Sequence, residues 1–305
     1  MSSSQLNNIK ENIPYDLLRL GTACNVKCAF CNIPSEDRAY PELKPHEAEM
    51  QLQEFLKKNG KDTRVSISGG EPTIYKDLPV IIRYAKKIGI KILELQTNAI
   101  LFDNIDYAKT ISDAGLDKAF ISLHSYIPET HDILVGKRGA FGRCISGIKN
   151  LINEGIEVTL NPVLTTLNYR DVVKLFKFVH SDFPLIRYIS LSVVQPKGRA
   201  WQNLELLPKY SKLSPYVAEA LEYANLNGMV INNPYCGLPL CIGNWSKYME
   251  QTVEYSINKL DNNNLRKDSN KTQGSKCVEC KLKKACNGVW NEYASTYGFN
   301  ELKPQ

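Results

Sequence analysis

The chain has 305 residues, a formal net charge of +6, 43% hydrophobic residues and nine cysteines. No uninterrupted apolar run approaches membrane-spanning length, and the opening MSSSQLNNIKENIPYD has no apolar segment of a secretory signal, which excludes a membrane partner and sets a cytoplasmic location as the expectation. The mild basicity reads as a lysine-rich solvated surface, and the absence of a dense Lys/Arg tract with interleaved aromatics argues against nucleic acid.

Residues 1–14 read as an N-terminal extension. An apolar segment, Tyr15–Leu20, reads as a first strand. Gly21 to Asn32, GTACNVKCAFCN, follows it and holds Cys24, Cys28 and Cys31 in a C-x3-C-x2-C spacing. Glu47–Lys58 is an amphipathic helix, and Val65–Ser68 is a strand feeding Gly69 and Gly70, where glycine permits close approach to a ligand. Leu78–Ile88 is a helix with Asp77 as its cap, then come strand Ile92–Gln96, helix Ile105–Ala114 and strand Ala119–Leu123. Helix Phe141–Glu154, strand Ile156–Leu160, helix Tyr169–Ser181 capped by Asn168, and strand Tyr188–Val194 complete the alternation. Crossovers long enough for helices imply parallel strands. Six such units fit before residue 200, two short of a closed eight-fold barrel. Polar residues collect at the strand ends: Glu71, Asn98, His124, Ser125, Asn161 and Gln195. Beyond Arg199 the pattern changes. Leu213–Asn227 reads as a helix with Ser214 and Pro215 at its start, Asn262–Gln273 as an exposed polar loop, and the chain closes with Cys277, Cys280 and Cys286 in a C-x2-C-x5-C spacing.

Three thiolates within eight residues, with no fourth Cys or His near them in sequence, can hold three corners of an iron–sulfur cube and leave one iron open. A structural zinc site wants four closed ligands, a disulfide framework belongs to small secreted chains, and nine cysteines in a reducing compartment read as metal ligands. The loop, with Phe30 just before its last cysteine, together with Ser68-Gly69-Gly70-Glu71-Pro72 after the apolar run Val65–Ile67, resembles the radical S-adenosylmethionine (radical SAM) superfamily.

The resemblance implies an α/β fold: an open partial (β/α)6 TIM-like barrel over 15–205, followed by a small cysteine-rich domain over 206–305. It implies an enzyme in which Cys24, Cys28 and Cys31 ligate a [4Fe–4S] cluster whose open iron binds S-adenosyl-L-methionine. Reductive cleavage to a 5′-deoxyadenosyl radical and hydrogen-atom abstraction from a substrate would follow. Gly69, Gly70, Glu71 and Pro72 would cradle the methionyl ammonium, with the Glu71 carboxylate suited to a cationic amine, and Phe30 would lie beside the adenine. Ser122, His124 and Asn161 are candidates for ribose or carboxylate contacts, and Lys137 and Arg138 read as solvated loop charges.

Cys277, Cys280 and Cys286 resemble the SPASM and twitch auxiliary-cluster extensions, with Cys241 preferred to Cys236 as the fourth ligand of one auxiliary [4Fe–4S] cluster. A full SPASM domain continues with a C-x3-C pair that this chain lacks, and zinc is the alternative occupant. Cys144, within a helix, reads as a buried small apolar residue. The expected substrate is a peptide undergoing modification. The alternatives are a small-molecule dehydrogenase or cyclase acting on a sugar, nucleotide or cofactor precursor, and a non-catalytic metal-bearing scaffold. An external electron donor of flavodoxin or ferredoxin type and a separate peptide-recognition protein complete the expected partners.

Overall fold

A computed structural model describes residues 15–34, 41–260 and 269–305. The proposed extension 1–14 and most of the polar loop Asn262–Gln273 lie outside the described residues. The chain forms two compact units, one ending at Asn161 and the other running Pro162–Gln305.

The first unit alternates strands and helices: β1 (Asp16–Arg19), a helix Pro45–Asn59, β2 (Arg64–Ser68), a helix Leu78–Lys87, β3 (Ile92–Thr97), a helix Ile105–Asp113, β4 (Lys118–Ile121), helices Pro128–Val135 and Ala140–Asn153, and β5 (Glu157–Leu160). Neighbouring strands pair in parallel in chain order. The two faces differ. Leu93, Leu95, Ala119, Ile121, Val158 and Leu160 are buried, while Glu94, Gln96, Lys118 and Phe120 are half-buried and Glu157 is exposed. A sheet packed on both faces would show apolar residues at every position, so the second face has a polar lining. Ser66, Glu94, Lys118 and Glu157 sit side by side in register. Ser68 Oγ donates to Gln96 Oε1, Gln96 Nε2 to Ser66 Oγ, and Ser66 Oγ to Glu94 Oε1, at 2.8–3.0 Å.

The second unit pairs β6 (Val163–Leu164) with β8 (Ser192–Val193) and β7 (Tyr188–Ser190) with β9 (Val230–Asn232), all parallel. β10 (Lys271–Thr272) and β11 (Val289–Trp290) form an antiparallel pair. Lys271 lies 4.6 Å from the Tyr235 ring centroid and 4.9 Å from that of Trp290, and its ammonium pairs with Glu254. No helix among the described residues is long and apolar enough to cross a membrane.

Several expectations change. The helix Pro128–Val135 lies in a stretch given no element between the strand Ala119–Leu123 and the helix Phe141–Glu154, although Pro128 in its first turn and Gly136 just past its end mark it. The strand expected over Tyr188–Val194 breaks at Leu191, whose amide bonds to Asn232 O at 2.9 Å. Asp77 occupies the N-cap position without a side-chain bond. Asn168 Oδ1 accepts from Thr165 N and Oγ1 instead of capping, a 3-10 turn Tyr169–Asp171 follows, and the helix begins at Val172. Pro215 lies inside the helix Tyr210–Leu226, which begins three residues before the expected Leu213, at Tyr210, whose ring stacks on Tyr293 at 3.7 Å. Lys271 and Thr272, expected in a loop, are in a strand.

Gly136 closes the helix Pro128–Val135 in the left-handed region, at φ 65°, and an added Cβ there would lie 2.5 Å from Lys27 O. Gly139 is also left-handed, at φ 77°, but has nothing within 4 Å of an added Cβ. Gly139→Ala should cost about 1–2 kcal/mol, the left-handed penalty alone. Gly136→Ala should cost a further ~1–3 kcal/mol for the overlap, read as the difference in urea-unfolding free energy.

Candidate functional site

The cysteine loop leaves β1 at Gly21 and runs against the loop that leaves β2. Leu20 N donates to Ser68 O at 3.0 Å, Gly70 N to Gly21 O at 2.9 Å and Glu71 N to Ala23 O at 2.8 Å, so the β1–β2 ladder continues beyond the strands. An added Cβ on Gly70 would lie 2.1 Å from Ala23 O and 2.3 Å from Thr22 O. The close approach that requires glycine is therefore made by the cysteine loop itself.

The opposite side of the loop meets a helix end. Lys27 N and Ala29 N donate to Val135 O and Leu134 O at 2.9 and 3.0 Å, using two of the carbonyls that the helix Pro128–Val135 leaves open at its C-terminus. Val26 and Cys28 pack against Ile100, Val135 and Ala140. Lys137 Nζ donates to Asn25 O at 3.0 Å, and Asn98 Nδ2 to Asn25 Oδ1 at 2.7 Å. Lys137 thus has a structural partner, whereas Arg138 is exposed.

Cys24, Cys28 and Cys31 are half-buried free thiols. Burial pushes the Cys24 thiol up to about 11, although the amides of Val26 and Asn25 hydrogen-bond to it. Such a thiol becomes a thiolate when a metal replaces its proton. Three thiols in one fixed loop, two amides on one sulfur and a buried, unpartnered Asn25 Nδ2 fit an anionic sulfur-rich group.

Glu71 is 3% exposed. Its Oε1 accepts from Thr73 N, Thr73 Oγ1 and Thr97 Oγ1 at 3.1, 2.7 and 2.7 Å, and its Oε2 from Asn98 N at 2.7 Å. Burial raises its pKa, and these bonds oppose the rise. These bonds tie the end of β2 to the end of β3, with three donors on Oε1 and one on Oε2. Pro72 begins a 3-10 turn, Pro72–Ile74, that Glu71 caps.

Phe30 and His124 meet edge to face at 5.0 Å, and His124 stacks on His131 at 5.7 Å. His124 N donates to His131 Nδ1 at 3.3 Å, which puts the proton of a neutral His131 on Nε2. Burial lowers the pKa of both rings, His124 strongly and His131 to about 4. Ser122 and Asn161 follow β4 and β5, their amides bonded to Thr97 O and Ile121 O. Cys144 is fully buried, and burial pushes its thiol up to about 12.

In the second unit Cys241, Cys277, Cys280 and Cys286 line one pocket of about 380 Å³, counting its open mouth, with Leu240, Gln273, Leu282 and Gly288 beside them. Cys236 is outside that lining, its Sγ 3.2 Å from Ser192 Oγ. Gly288 N lies 3.4 Å from Cys286 Sγ, and Glu254 accepts from Asn287 N at 3.0 Å. Burial, and then the Glu254 charge, push the Cys286 thiol up to about 12. Among the described residues no three Cys, His, Asp or Glu side chains converge as a site for a single metal ion. The residues that sequence reasoning missed are Asn25, His131 and the helix Pro128–Val135. Only the helix left a signal, in Pro128 and Gly136.

The family model of the radical SAM superfamily matches residues 18–179. The chain belongs to the radical SAM superfamily. It is therefore an enzyme of the kind that uses an iron–sulfur cluster and S-adenosylmethionine. It is 35% identical over 157 residues to a probable GTP 3',8-cyclase of Metallosphaera sedula, a match covering 51% of this chain and 48% of that protein. A probable GTP 3',8-cyclase of Sulfurisphaera tokodaii is 29% identical over 232 residues, 72% of each chain. The match thus spans about half the length of the first relative. Among solved structures, Streptococcus suis SuiB bound to precursor peptide SuiA gives a TM-score of 0.63 at 18% identity, over 99% of this chain and 78% of that one. That likeness is one of fold: α/β with parallel strands, a partial barrel.

A neutral His131 in the folded chain binds no proton until about pH 4, while an unfolded histidine does so near the ordinary value of 6.5. Between those values the unfolded state holds more protons, so stability falls as pH drops through that window. The melting temperature should decline from pH 6.5 towards 4, and His131→Gln should flatten part of the slope.

Proposed function

We propose that this radical SAM enzyme modifies a peptide, using two iron–sulfur clusters. Cys24, Cys28 and Cys31 hold the first. When bound, the cluster and S-adenosylmethionine supply reductive C–S cleavage and hydrogen-atom abstraction. The chain fixes their surroundings. Gly69, Gly70, Glu71 and Pro72 receive the methionyl amine, with Thr73, Thr97 and Asn98 holding the Glu71 carboxylate in place. Phe30 and His124 border the adenine, and Ser122 and Asn161 offer neutral polar contacts. The observation that carries this reading is the backbone lock between the cysteine loop and the loop Gly69–Pro72. The functional division is 15–205 for the barrel and 206–305 for the cysteine-rich part, with an electron donor of flavodoxin or ferredoxin type.

Cys241, Cys277, Cys280 and Cys286 hold the auxiliary [4Fe–4S] cluster. Their shared pocket supports Cys241 over Cys236 as the fourth ligand. Four thiolates fill all four corners of a cube, so this cluster binds no substrate through iron.

For the substrate, the SuiB structure carries a precursor peptide, whereas the relatives by sequence are named for a GTP cyclase. The second reading, a small-molecule cyclase, rests on those names. A triphosphate needs several cations around it. Ser122, His124 and Asn161 are uncharged, with His124 kept neutral by burial, and Lys137 bonds to Asn25 O. Those neutral strand ends favour a peptide.

Anaerobically loaded enzyme given S-adenosylmethionine and a strong reductant should form 5′-deoxyadenosine, and Cys24→Ala should abolish it. A Cys277→Ala and Cys280→Ala double variant should lose one cluster's iron and keep the other. Stoichiometric zinc with unchanged iron would contradict the auxiliary cluster. A short peptide encoded beside the enzyme's gene should accelerate 5′-deoxyadenosine formation, and acceleration by GTP instead would establish the second reading.

A further inference from the structure

Asn25, next to Cys24, has one side-chain acceptor and two side-chain donors. The orientation of its amide is set by Asn98. Asn98 Oδ1 accepts from Ile100 N at 3.0 Å, and Asn98 N donates to Glu71 Oε2 at 2.7 Å, so Asn98 Nδ2 is the end that faces Asn25. A donor there requires an acceptor opposite, which makes the near atom Oδ1, at 2.7 Å, and turns Asn25 Nδ2 away. That nitrogen is buried and has no hydrogen-bond partner among the described residues. Other polar groups nearby are engaged: Asn25 O by Lys137, Lys27 N and Ala29 N by the helix end, and the amides of Asn25 and Val26 by the Cys24 sulfur. A buried donor left in such a loop calls for an acceptor that arrives later.

We infer that Asn25 Nδ2 donates a hydrogen bond to the sulfur shell of the cluster held by Cys24, Cys28 and Cys31, and that Asn98 positions it there. The inference rests on the proposed reading that these cysteines hold a cluster. Hydrogen bonds to cluster sulfur favour the more negative, reduced state and raise the reduction potential. Asn25 is thus a positioning and tuning residue that sets how strong a reductant the cluster requires.

The test uses the full chain with both clusters loaded. The first cluster is identified by the electron paramagnetic resonance signal that changes on adding S-adenosylmethionine, and its midpoint is titrated without that ligand. Asn25→Ala should keep its iron and shift the midpoint to a more negative potential. Asn98→Ala removes the same Asn25–Asn98 bond but keeps the donor, and should shift it less. Asparagine labelled with 15N at the side-chain amide should give the reduced wild-type cluster a nitrogen coupling that Asn25→Ala lacks. Equal shifts in both variants, without that coupling, would mean a merely structural role and overturn the inference. An unchanged midpoint with weakened S-adenosylmethionine binding would overturn it too, assigning the donor to the ligand's carboxylate. A wild-type chain with no responsive signal would instead remove the cluster reading itself.

Discussion

The site depends on backbone hydrogen bonds that hold the cysteine loop from two sides. On one side Gly70 N and Glu71 N reach Gly21 O and Ala23 O, and on the other Lys27 N and Ala29 N reach the open carbonyls of the helix Pro128–Val135. Glycine at 70 and at 136 is what lets the chains approach, since a Cβ at either place would overlap a carbonyl oxygen of the loop. A loop held this way presents its thiols in one arrangement without using side chains that the chemistry needs.

Glu71 extends the same logic to the next strand. Its buried carboxylate is stabilised by four donors from Thr73, Thr97 and Asn98, and Asn98 then reaches across to Asn25. Removing one partner of such a network leaves a buried group unsatisfied. The strand ends, the glycine loop and the cysteine loop therefore form one connected polar unit.

The alternation of strands and helices was legible because each element has a clear period and a Gly or polar stop, and β1 to β5 fall within a few residues of where periodicity puts them. The cysteine spacing and the Gly-Gly-Glu-Pro stretch were legible as local patterns that the superfamily match then supports. The helix Pro128–Val135 was not, because its eight residues follow a polar strand end and its apolar face is short. Nor was the inward turn of Glu71, which depends on threonines two and twenty-six residues away. Asn25 gives no sequence signal at all, since its meaning lies in a donor that no group among the described residues receives.

Hydrogen–deuterium exchange of the metal-free chain tests the two-sided hold most directly, amide by amide. The amides of Lys27, Ala29, Gly70 and Glu71 should be protected before any iron is added, at the level of the strand amides beside them. Exchange of these four at the rate of an open loop, with protection appearing only on cluster assembly, would contradict the account.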